Sequence, residues 1–234
     1  MITFNATLAA LLPAVVLLWL IYRKDPVKEP VPQLLKGFGY GLVAAGLAIV
    51  MESTLVGVGL VSKEPHSILS AVNMAFVGAA IPEELAKLFM LWLLLRRNHY
   101  FDEYFDGVVY AASIGLGFAA IENVAYLLGN LDDWEGMAVM RGLFSVPGHF
   151  AFAVLMGYFY SLVHLGGRHS RHDRVMVLAA PVLAHGAYDT VLFMGSVSEA
   201  IAGAMTIVFL LLCAHLVKLC RRQIRTLRIF DQAS

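Results

Sequence analysis

Residues 74–95 read MAFVGAAIPEELAKLFMLWLLL, and how this stretch is read decides the fold. It has membrane-spanning length, since a hydrocarbon core of about 30 Å takes about 20 helical residues at 1.5 Å each. Glu83 and Glu84 stand in its middle, and Lys87 follows one turn later. A charge at that depth costs roughly 2.5–3.5 kcal/mol on insertion scales, and crossing a bilayer requires none. The acidic pair therefore marks a functional site.

The surrounding sequence has the same texture. Apolar segments fall at 5–22, 37–62, 68–95, 105–129, 136–164, 174–195 and 199–219. The chain has 234 residues, 59% of them hydrophobic and in long blocks, with no formal net charge. That pattern predicts an all-α, polytopic transmembrane helical bundle of about seven spans and excludes a soluble domain. Residues 1–234 read as a single integral membrane domain, with the polar motifs confined to about 35–220. The second and fifth segments are long enough to tilt, kink or protrude. Residues 1–22 carry their positive charges after the apolar run, at Arg23 and Lys24, and read as a retained first helix rather than a signal peptide. Cys213 and Cys220 lie seven apart on one helix, about 10 Å, too far for a disulfide. No basic block interleaved with aromatics points to nucleic acid; the expected surroundings are the lipid bilayer.

Charge alternates between the connections. Arg23, Lys24, Lys28 and Lys36 mark the first, Arg96 and Arg97 the third, and Arg168, Arg171 and Arg174 the fifth; Lys218, Arg221, Arg222, Arg225 and Arg228 mark the tail. The other connections hold Lys63 alone, the acids Asp132, Asp133 and Glu135, or almost nothing at 195–199. The positive-inside rule places the N-terminus outside and the C-terminus in the cytoplasm. The basic tail reads as a juxtamembrane anchor near anionic lipid.

Polar residues gather at one depth. Glu83, Glu84 and Lys87 lie near the middle of the third segment, Glu122 and Asn123 near that of the fourth, His149 in the fifth, and His185 and Asp189 in the sixth. Lys87 is i,i+4 from Glu83 and i,i+3 from Glu84; His185 and Asp189 are i,i+4 and can share a ligand or a hydrogen bond. Pro82, Pro147 and Pro181 precede three of these groups. Each removes a backbone donor and disturbs the turn before it, which membrane depth tolerates only beside protein or water, so a hydrated cavity is expected. Gly115 and Gly117 permit close backbone approach on the fourth segment. Glu52 and His215 are polar exceptions without an evident partner.

Bland readings compete for each group. Glu83 and Glu84 could be a structural pair satisfied by Lys87, yet one lysine needs one glutamate. Asn123 could be an interhelical clamp, and a lone His149 or His185 a packed histidine. Their coincidence in depth favours chemistry. Such a set can activate water by general-base catalysis through a glutamate, or as a zinc-type site with histidine and carboxylate ligands. Neither Gly-x-Ser-x-Gly nor His-Glu-x-x-His occurs, so a serine nucleophile and a standard zincin are poorly supported. A proton- or cation-coupled transporter is the alternative, since buried acids and histidines also relay protons.

Glu83-Glu84-Leu85-Ala86-Lys87 resembles the Glu-Glu-x-x-Lys motif of the PrsW family of intramembrane proteases. Phe118-Ala119-Ala120-Ile121-Glu122-Asn123 is similar to its Phe-x-x-x-Glu-Asn motif, His149 to its isolated histidine, and His185-Gly186-Ala187-Tyr188-Asp189 to its His-x-x-x-Asp motif. All four stand in the family's order. The resemblance, which extends distantly to the CAAX prenyl endopeptidases, implies an intramembrane endopeptidase of the bacterial cytoplasmic membrane acting on a membrane-anchored protein or peptide. It leaves a metallopeptidase and a metal-free glutamic protease both open. The expected site is Glu83 or Glu84 as base for water, with Glu122, His149 and His185 binding zinc if a metal is present or positioning water and oxyanion if not. Asp189 is expected to orient His185, with Lys87 and Asn123 in support.

Overall fold

The computed structural model describes residues 1–166, 170–197 and 199–233. Arg168 and His169 of the fifth connection lie outside the described residues. The described residues form helices and no strand. In chain order they make seven helical segments. The first is Ile2–Lys24, the second Val31–Gly57, and the third runs without a break through Ile68–Asn73, Met74–Ala80 and Ile81–Leu95. The fourth is Tyr104–Gly129, the fifth runs through Trp134–Met140, Arg141–Ser145 and Val146–His164, the sixth is Arg171–Val197 and the seventh Glu199–Ala233. Six helical runs, all but the third, are long and apolar enough to cross a membrane. The third is the one that carries Glu83, Glu84 and Lys87.

The fourth helix is the axis of the bundle, with 78% of its apolar window buried, against 22% in the first. Glycine makes this possible. A Cβ on Gly117 would lie 2.1 Å from the Phe38 carbonyl oxygen, and one on Gly41 would lie 2.2 Å from that of Ile114. The second and fourth helices therefore touch backbone to backbone. On the other side a Cβ on Gly115 would meet the Ala153 Cβ at 2.8 Å, which holds the fifth helix close.

Two of the three prolines distort their helix as the sequence predicts. Met74–Ala80 is a π-helix that ends just before Ile81-Pro82, and Arg141–Ser145 is a π-helix that ends just before Val146-Pro147. The wider turn takes up the missing N–H and the ring's clash with the preceding carbonyls. Pro181 instead sits inside the continuous sixth helix.

The basic connections and the tail meet at one end of the bundle. Asp231 accepts from the Tyr104 N–H at 2.6 Å and the Phe105 N–H at 3.0 Å, and the Tyr104 hydroxyl donates to the Leu165 carbonyl at 3.2 Å. The first connection joins them through a hydrogen bond from Tyr110 to Glu29. This clustering agrees with the charge-derived topology. The sequence places the end of the seventh span near 219, whereas the helix continues to Ala233. Leu216, Cys220, Gln223 and Leu227 recur at heptad spacing and are buried, so the tail packs along its length instead of only anchoring at lipid.

Candidate active site

The third helix enters the site directly after its π-helical turn. Lys87 Nζ lies 2.9 Å from Glu83 Oε2, 2.9 Å from Glu84 Oε1 and 3.1 Å from His149 Nδ1. It also stands 3.9 Å from the centre of the Phe118 ring, a cation–π contact that helps hold the ammonium away from water. Lysine has no acceptor, so it donates to His149 Nδ1. The far nitrogen, Nε2, then carries the proton and donates to Glu122 Oε2 at 2.8 Å. Glu122 is held from its other side by Arg141, with Nη2 at 2.9 Å from the same oxygen.

The two glutamates have different surroundings. Glu84 is fully buried. Its Oε1 accepts from Lys87 and from His185 Nδ1, each at 2.9 Å, and its Oε2 has no partner among the described residues. Glu83 lines the large cavity, and its Oε1 forms no hydrogen bond among the described residues. His185 Nε2 lies 3.2 Å from Asp189 Oδ2, so both ring nitrogens face carboxylates, and the Phe152 ring stacks on the imidazole at 4.6 Å. The imidazole is thus fixed in position and plane.

All eight residues singled out from the sequence therefore lie in or beside one cluster. Glu83, Glu122, His149, His185 and Asp189 line the cavity; Glu84 and Lys87 stand behind it. Asn123 serves as a clamp: its amide donates to the Ala10 carbonyl at 3.3 Å, and its oxygen accepts from Arg141 Nε at 2.7 Å. Three further residues join them. Arg141 bridges Glu122, Asn123 and Ser145, the last at 2.9 Å. Glu52, which has no account in the sequence, faces the same cavity from the second helix. Tyr188 lines it too, and its buried hydroxyl has no partner among the described residues. A charge inside an apolar segment was the available signal for Arg141 and Glu52. Nothing distinguished Tyr188 from a packing aromatic.

The cavity measures about 1110 Å³. Its wall extends to Ser62 and Lys63 in the second connection, on the side assigned as outer, and includes no residue of the basic inner connections among those described. Apolar side chains such as Leu42, Ile49 and Phe193 complete it.

Glu83, Glu84 and His149 bring ligand atoms within 4.8 Å of one another. Carboxylate and imidazole suit zinc. The same three side chains are the acceptors of Lys87, however, and an ammonium at 2.9–3.1 Å from all three occupies the place between them that a metal would need. With Lys87 in place these donors do not fit a metal. Of the ligand candidates named from sequence, His149 belongs to this group, Glu122 meets its far nitrogen, and His185 meets Glu84.

The sequence profile described as "PrsW family intramembrane metalloprotease" matches residues 29–216. Among curated proteins, "Protease PrsW" of Geobacillus kaustophilus is 32% identical over 81% of this chain and 80% of its own length. "Protease PrsW" of Bacillus subtilis is 32% identical over 79% of this chain and 81% of its own, and that of Clostridioides difficile is 30% identical over 79% and 78%. No solved structure matches.

Proposed function

The chain belongs to the PrsW family of intramembrane proteases, and we propose that it cleaves a membrane-anchored protein with a water activated by Glu83. The carrying observation is the division of labour between adjacent glutamates. Glu83 keeps an oxygen on the cavity, whereas Glu84 is sealed behind it by Lys87 and His185. A base must reach the proton it takes, and of the two adjacent glutamates only Glu83 is so placed.

In this reading Glu83 takes a proton from water as the oxygen attacks the scissile carbonyl carbon. The Tyr188 hydroxyl donates to the developing oxyanion, a bond the resting site leaves unmade. Glu83 then returns the proton to the leaving nitrogen as the C–N bond breaks, giving one carboxylic acid and one amine and leaving Glu83 a carboxylate again. Lys87 supplies the fixed positive charge, and the His149–Glu122–Arg141 chain holds the opposite wall. Asp189 orients His185, which in turn fixes Glu84.

Zinc is the family's implied alternative. The lysine position speaks against it, so the reading routes no step through a metal. The apolar wall and the extension of the cavity towards Ser62 and Lys63 support a substrate segment entering from the outer half of the bilayer. The transporter alternative needs a path to both faces, and the described lining supports one side only.

The test is cleavage of a single-span protein substrate by the purified protein in liposomes. Glu83→Gln is expected to abolish cleavage with the fold intact. Cleavage at the wild-type rate would refute the assignment.

A further inference from the structure

A second cluster of acids lies at the inner end of the bundle. Asp25 follows the first helix, Glu29 lies in the connector, and Asp106 is in the first turn of the fourth helix. They are 2%, 5% and 0% exposed, and their ligand atoms lie within 4.8 Å of one another. Each carboxylate has one oxygen satisfied. Asp25 Oδ2 accepts from the Glu29 N–H at 3.3 Å, Glu29 Oε2 from the Tyr110 hydroxyl, and Asp106 Oδ2 from the N–H groups of Asp102 and Glu103 at 3.1 and 2.7 Å. The second oxygens of Asp25 and Asp106 are buried and have no donor among the described residues.

Three buried carboxylates need compensating charge. Lys28 is the nearby cation: it donates to the backbone carbonyls of Tyr22 and Asp25 and offsets Asp25 in part, but among the described residues no ion pair reaches any of the three carboxylates. The donors are all oxygen, which selects a hard cation, and their span suits one whose ligands lie at about 2.1–2.4 Å.

We propose that Asp25, Glu29 and Asp106 form a structural site for a hard divalent cation of the Mg2+ or Ca2+ class. The ion pins the end of the first helix and the connector to the base of the fourth helix. The site is separate from the hydrolytic one, since Asp106 and Glu122 stand sixteen residues, or about 24 Å, apart on one helix.

Purified full-length protein, stripped with EDTA and dialysed, is titrated with Mn2+ and followed by electron paramagnetic resonance. One Mn2+ per chain is expected to bind and to be displaced by Mg2+ or Ca2+. Saturating Mg2+ or Ca2+ should raise Tm by roughly 5 °C. Asp106→Asn and Glu29→Gln should each weaken Mn2+ binding at least tenfold, whereas Glu83→Gln, which keeps the fold, should leave it intact. Absence of bound Mn2+ in the wild type overturns the proposal, as does equal binding in both acid-site variants. A Tm that follows pH but ignores cations also overturns it, because the triad then holds a shared proton. Should either variant fail to fold, the other variant and the wild-type titration decide.

Discussion

Lys87 donates to His149 Nδ1 over 3.1 Å, across 62 residues of sequence. That bond fixes the tautomer of His149, commits its other nitrogen to Glu122, and puts an ammonium where a metal ligand set would close. The third and fifth helices are thereby joined through their most polar side chains.

Phenanthroline, which withdraws zinc but leaves Mg2+ and Ca2+, is expected to leave cleavage unchanged. Lys87→Met should abolish it, and the vacated Glu83, Glu84 and His149 should then bind zinc. Isothermal titration of wild type and variant with zinc checks the second half. A phenanthroline-sensitive wild type would reject the lysine-held site.

Glu83→Gln and Glu84→Gln should fail differently. The first should lower kcat by about 10²–10⁴ with little change in Tm. The second keeps an oxygen acceptor but removes the buried negative charge that Lys87 and His185 share, which costs about 3–5 kcal/mol of stability. Thermal unfolding alongside cleavage separates them, and equal Tm losses would contradict the division of roles.

Tyr188→Phe removes a buried hydroxyl that has no partner among the described residues. Stability should hold or rise slightly, because a buried unsatisfied donor is lost. Activity should fall by about 10²–10³ in kcat with KM little changed, as when one oxyanion donor is deleted. A normal kcat would return Tyr188 to a packing role.

Gly117→Ala should disrupt assembly of the bundle. Its Cβ would fall 2.1 Å from a backbone oxygen that cannot swing aside, whereas a Cβ on Gly129 meets nothing within 4 Å. The yield and Tm of Gly117→Ala should drop and those of Gly129→Ala should hold. The cost at Gly117 is about 1–3 kcal/mol or more.

Much of this architecture is legible in the sequence because lipid simplifies the code. Apolar length announces the helices, arginine and lysine announce the sides, and a charge at mid-depth stands out. Glu83, Glu84, Glu122, His149 and His185 could be picked out for that reason, and Pro82 and Pro147 announced the distorted turns. Pairing is another matter. Nothing local shows that His185 meets Glu84, 101 residues away, or that Lys87 reaches both glutamates and His149 at once. Those contacts depend on how the helices pack. Arg141 lies close enough to the end of its segment to pass for a boundary residue. Asp25, Glu29 and Asp106 look like ordinary solvated loop acids until the fold buries them.

The π-helical turn at Met74–Ala80 also acts as a phase adjuster. The wider turn takes about one more residue than an α-helix for the same rotation, so it sets the phase in which Glu83 meets the cavity wall. One residue inserted after it, between Ala80 and Ile81, would add about 100° with no second wide turn to absorb it, and should carry Glu83 towards lipid while every residue of the Glu-Glu-x-x-Lys sequence stayed in place.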